Sequence, residues 1–146
     1  MRLDRNLRVR TNWERGPAAN LDGPFLVSYT EFTPHTLRDV PGIYLAARRL
    51  IAACSKLEGA VGVTTYWQLP KGRGGSLSVW KDHPALRQFV ALPYHVEIMR
   101  KYRTRGSLRA IDWKADSFDL RQAFADGQRA LDEGQGRRMG KFRVSP

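Results

Sequence analysis

Among the 146 residues there is one cysteine, Cys54, and there are three histidines. A lone thiol excludes an internal disulfide and any zinc site built on two or more thiolates. No apolar run approaches the roughly 18 residues needed to cross a bilayer. The start, Met1-Arg-Leu-Asp-Arg-Asn-Leu-Arg, is too charged for a secretory signal, so the expectation is a cytoplasmic protein. Acidic residues are scarce as well: 14 Asp and Glu against 25 Lys and Arg leave a net charge of +11. Such a balance invites a nucleic-acid reading, but its distribution points elsewhere. Arg2, Arg5, Arg8, Arg10 and Arg15 gather at one end, and Arg137, Arg138, Lys141 and Arg143 at the other, without aromatic residues interleaved as a stacking platform. Solvated tails are the simpler reading. Arg100, Lys101, Arg103, Arg105 and Arg109 bracket a helix end, where cations complement the dipole without any partner, so nucleic acid is not an expected ligand.

A chain of this length supports one hydrophobic core. Residues 1–23 mix charge with Gly and Pro and read as an extended or partly disordered arm, in which Trp13 is the residue able to dock. Residues 24–133 carry the periodic segments, and 134–146 form a basic tail. The β-branched and aromatic run 24–33 predicts a strand that Pro34 ends. Over 40–57, Ile43, Ala46, Ala47, Leu50, Ile51 and Cys54 recur at three- and four-residue spacing, which predicts an amphipathic helix with Cys54 on its apolar side as a small buried hydrophobe. Residues 63–69 read as a second strand, 70–75 as a Gly-rich turn and 77–81 as a third strand, a hairpin. No phosphate loop fits here, because that motif needs a helix after the turn. Asp82 predicts a helix N-cap with Pro84 in the first turn, and Pro93 predicts a kink or restart before Tyr102. A fourth strand over 107–113 and a last helix over 118–131 complete the series.

The resulting order, β-α-β-β-α-β, is that of an α+β ferredoxin-like plait: a four-stranded antiparallel sheet with two helices on one face, here with an extra C-terminal helix. Adjacent aromatics such as Tyr66 and Trp67, or Val79 beside Trp80, point to opposite faces of the sheet. Large apolar groups on both faces predict a second copy closing the outer one, and a homodimer is the commonest way to supply it.

The run Ser76-Leu-Ser-Val-Trp-Lys-Asp-His-Pro-Ala-Leu-Arg-Gln-Phe-Val-Ala-Leu-Pro-Tyr-His resembles the core signature of the dimeric α+β barrel proteins, nearest their spheroidene monooxygenase-like and antibiotic biosynthesis monooxygenase-like branches. In these a strand ending in tryptophan runs into a helix with a central aromatic and a later histidine, and the matching positions are Trp80, Phe89 and His95. The resemblance covers about residues 25–113. It implies a pocket between sheet and helices for a small, flat hydrophobic substrate of aromatic, polyketide or carotenoid type, and a monooxygenase-like reaction in secondary metabolism. No cofactor is required for that, because an electron-rich phenolate can pass an electron to dioxygen while the protein manages protons and excludes water.

His95 is the first candidate for chemistry, since imidazole titrates near neutrality. Arg87, two helical turns earlier, is a candidate to hold an enolate or carboxylate, with a surface salt bridge as the plain alternative. Tyr66 would donate a hydroxyl, and Trp80, Phe89, Tyr94 and Trp113 would supply an aromatic wall or simply core packing. His35 and His83 are expected at the surface. Haem is a possible cofactor through His95, but the haem-degrading relatives carry their axial histidine one turn further on, where this chain has Met99. Lyase, cyclase or isomerase chemistry would use the same groups. A non-catalytic ligand-binding dimer would use the same aromatics as core.

Overall fold

The computed structural model describes residues 2–3 and 8–139, with side chains from 8 to 138. The calls on Arg5, Lys141 and Arg143 lie outside the described residues. Among the described residues, eight strands form one antiparallel sheet: β1 (Arg2–Leu3), β2 (Arg8–Arg10), β3 (Glu14–Arg15), β4 (Phe25–Pro34), β5 (Ala60–Gln68), β6 (Arg73–Trp80), β7 (Gly106–Ala115) and β8 (Arg137–Met139). Four helices accompany them: α1 (Val40–Cys54), α2 (His83–Val90), α3 (Pro93–Tyr102) and α4 (Leu120–Asp132).

The four long strands lie in the order β5-β6-β4-β7, as the plait requires, and the sheet extends beyond four strands because both ends of the chain add to it. β2 and β3 pair with β5, while β8 pairs with β7. The arm is therefore zipped along an edge. Thr11 N–H donates to the Thr65 carbonyl at 2.9 Å, and Thr64 Oγ1 donates back to the Thr11 carbonyl at 2.8 Å.

Two local expectations change. The first helix stops at Cys54, followed by turns through Leu57. The third strand begins at Arg73, so Gly74 and Gly75 belong to the strand and only Gly72, at φ 58°, makes the left-handed turn. These strand glycines have a packing reason. A Cβ on Gly74 would meet the Trp67 ring at 2.4 Å, and one on Gly75 would meet the Thr30 carbonyl oxygen at 1.9 Å. Close approach of neighbours replaces the side chain.

Alternation along the strands divides the core in two. On the inner face Leu26, Val63 and Trp80 pack with Cys54 of α1 and Ala85 of α2, and α3 packs against α1 and α2. On the outer face Val27, Tyr29, Val61, Tyr66, Leu77 and Val79 pack with Ala123, Phe124 and Leu131 of α4. The cover that the sequence reading gave to a second copy is thus supplied by the chain itself. Phe124 is 4% exposed and meets the rings of Tyr29 and Tyr66 edge-on, and burial of such a side chain contributes about 2 kcal/mol. Trp13 of the arm stacks on Phe118 at 5.1 Å and lies over Gly62, where a Cβ would come within 2.1 Å of the indole.

Candidate functional site at the strand-to-helix step

Trp80 ends β6 on the inner face, fully buried, with its indole N–H donating to Ser78 Oγ at 2.9 Å. Asp82 has an extended backbone and its carboxylate accepts from the Ala85 N–H at 2.9 Å, the N-cap that starts α2 one step beyond the strand. Pro84 stands in the first turn, where its missing N–H costs nothing. α2 then carries Phe89 back over Trp80, ring centroids 5.2 Å apart and 29° between planes.

The chain leaves helical geometry at Leu92, and Pro93 opens α3. The restart places His95 in the first turn of α3, with its ring edge-on to Phe89 at 5.0 Å and 69°. Trp80, Phe89 and His95 thereby form one aromatic ladder running from the sheet toward the helix surface. His95 is half-buried. Burial disfavours the imidazolium and holds the pKa below its ordinary 6.5, while a bond to the Val90 backbone works in the opposite direction. The ring is therefore neutral at pH 7 and able to accept a proton.

The other candidates do not join this ladder. Tyr66 and Trp113 belong to the outer face, so the sheet separates them from His95. The Tyr66 hydroxyl donates to the Thr30 carbonyl at 2.8 Å, and its ring stacks on Tyr29 at 5.3 Å. Burial pushes its pKa well above 10, with Tyr29 and Glu31 adding to the rise. Arg87 is exposed on α2. Tyr94 is half-buried on α3, where its hydroxyl accepts from Arg49 Nη1 of α1 at 3.4 Å, a long contact. Of the wall expected to hold His95 with at least one of Arg87, Tyr66 or Trp80, the structure links His95 to Trp80 through Phe89, while Tyr66 and Trp113 lie across the sheet. Met99 is half-buried on α3, and His35 and His83 are exposed. Cys54 is fully buried and its thiol is pushed up to about 12, an unreactive group.

A polar cluster on the outer face escaped the sequence reading. Glu31 is 3% exposed, and its carboxylate accepts two bonds from Arg109 at 2.9 Å each and one from Gln128 Nε2 at 3.0 Å, with Arg73 Nε at 3.3 Å. Tyr29 donates to Gln128 Oε1 at 2.8 Å, and Arg109 also donates to the Leu131 carbonyl at 2.9 Å. One signal was present. Val27, Tyr29 and Glu31 share a strand face, and a charge in that period demands a buried partner. At the start of α4, Arg10, Asn12, Trp13, Phe118 and Leu120 line an open cleft of about 460 Å³. It lies with the arm and α4, away from His95.

No protein-family model matches the chain, and no curated protein does. Solved structures do. SnoaB, a cofactor-independent oxygenase from Streptomyces nogalater, is 19% identical with a TM-score of 0.56, and the match covers 67% of this chain and 98% of that one. Rv0793 from Mycobacterium tuberculosis is 10% identical with a TM-score of 0.55, covering 65% and 96%. The protein designated YJCS is 10% identical with a TM-score of 0.54, covering 62% and 98%. Sequence identity this low speaks to architecture alone. The chain shares the α+β, ferredoxin-like fold of these solved structures.

Proposed function

We propose that this protein is a monooxygenase-like oxidoreductase that acts on a small hydrophobic, phenolic or enolic metabolite beside the Trp80–Phe89–His95 ladder. One observation carries the reading: a half-buried imidazole, kept neutral by burial, stands at the end of an aromatic stack. A neutral imidazole accepts the phenolic proton, and the electron-rich anion so formed reduces dioxygen. One oxygen atom enters the substrate, converting a CH2 into a carbonyl, and the other leaves as water with the two hydrogens of that carbon. The likeness to an oxygenase that works without a cofactor supports this reading in kind. Phe89 is assigned to meet the flat substrate, and Trp80, fully buried beneath it, holds the Phe89 ring in place. Tyr66 and Trp113, across the sheet, are given no part, whereas Arg87 on α2 and Tyr94 on α3 keep the roles of anion holder and aromatic wall in this proposal.

Were haem bound, His95 is the residue that would hold it, and the group would supply the redox chemistry; the imidazole already lies edge-on to Phe89 at 5.0 Å. Homodimerisation, a cytoplasmic location and a place in secondary metabolism are kept as parts of this proposal. Dense packing around Trp80 favours one second reading, a ligand-binding module without chemistry.

Dioxygen uptake by the purified protein with a panel of hydroxylated polycyclic aromatics, followed by product mass, tests the proposal. The expected result is uptake with a product 14 mass units heavier, the balance of one oxygen gained and two hydrogens lost, and its loss on His95→Ala. No uptake with any member, or full activity of the His95→Ala protein, overturns it. A Soret band in the purified protein would move the chemistry to haem.

A further inference from the structure

The 3-10 turn Leu37–Asp39 runs without a break into α1, because Val40 already has helical backbone angles. Over this continuous helical path, residues 37, 41, 44, 45, 48, 49 and 52 are all exposed, the spacing of a single stripe. The opposite side holds Cys54 and Ile51 against the sheet. The exposed stripe ought to be polar, yet Leu37 is 73% exposed, Leu45 59% and Tyr44 44%. Cations are set among these residues. Arg38 and Arg48 are exposed, and Arg48 leans over the Tyr44 ring with 6.0 Å from its guanidinium carbon to the centroid.

An apolar ridge interleaved with arginine is the pattern of a helix that lies in the plane of a membrane surface, its leucines among the acyl chains and its cations among anionic headgroups. We propose that the outer face of α1 docks the protein on anionic membranes through Leu37, Tyr44 and Leu45, with Arg38 and Arg48 pairing with lipid phosphates. Charge complementarity argues for this occupant, since the chain carries +11 overall and the leaflet is negative. A helix that only touches the surface fits the absence of any long apolar helix among the described residues. The inference does not depend on the proposed chemistry. It does suit a hydrophobic metabolite, which dissolves in the same bilayer.

Co-sedimentation of the full-length protein with phosphatidylcholine vesicles, with and without phosphatidylglycerol, tests this, with light scattering run beside it. The wild type is expected to bind only the phosphatidylglycerol vesicles. Leu37→Ser/Leu45→Ser and Arg38→Glu/Arg48→Glu, each checked for native circular dichroism, are each expected to weaken binding by about tenfold or more. Absence of binding overturns the proposal. So does binding that salt abolishes but the leucine pair leaves unchanged, since that would place it on the basic tails. A wild-type dimer that the leucine pair converts to monomer, with vesicle binding unaltered, would give the stripe to a second copy instead.

Discussion

Single residues set the chemistry, and His95 is the one whose environment does most. Its pKa is lowered by burial, so in the window just below 6.5 the unfolded chain binds the proton and the folded chain does not. Acidification through that window favours unfolding, and stability rises again as pH climbs past it. Urea midpoints measured at about pH 7.5 and about pH 5.5 should fall further on acidification in the wild type than in His95→Gln, which has nothing to titrate. If the imidazole is the base, the acid limb of the rate profile will also lie below 6.5. Trp80, Phe89 and His95 were legible in the sequence because they sit within 16 positions, joined by one cap and one proline. Tyr66 and Trp113 were misplaced because face assignment needs the pairing register. That register slips at the irregularity between Ala60 and Gly62 on β5.

At the scale of elements, glycine was the hardest residue to read. The sequence reading put Gly74 and Gly75 in a turn because glycine weakens strands, whereas their neighbours need the space. Gly127 is the helical counterpart. It lies buried in α4, and a Cβ there would meet Cγ of Tyr29 at 2.6 Å. Alanine would raise helix propensity by about 1 kcal/mol, but crowding a packed core costs about 1–3 kcal/mol. Gly127→Ala is therefore expected to lower stability by up to about 2 kcal/mol net, read as a shift in the denaturant midpoint. A raised midpoint would mean that α4 stands further from the sheet. The start of α2 was read correctly from Asp82 and Pro84, because a cap is a local device that owes nothing to distant residues.

At the scale of the whole molecule, the outer face was the main surprise. Its apolar groups were visible in the sequence, but α4 lies beyond the recognisable signature, and only long-range packing shows that it folds back on the sheet. Arg109 joins them by bridging Glu31 of β4 to the last turn of α4. Arg109→Ala would leave the buried Glu31 with Arg73 and Gln128 alone, and loss of one partner from a buried pair costs about 3 kcal/mol. Equilibrium denaturation should show that loss, with hydrogen exchange quickening in α4 ahead of β4 to β6. Equal protection in the mutant and the wild type would mean that Phe124 and Leu131 hold the helix unaided.

The terminal strands have a consequence of another kind. β5 and β7 would otherwise end the sheet with rows of free N–H and C=O groups, a template for any passing strand. Arg8–Arg10 and Glu14–Arg15 occupy one border, and Arg137–Met139 occupies part of the other. The charged ends of the chain thus guard against fibril growth: arginine-studded flaps take the place of an incoming neighbour and repel the next molecule by their charge.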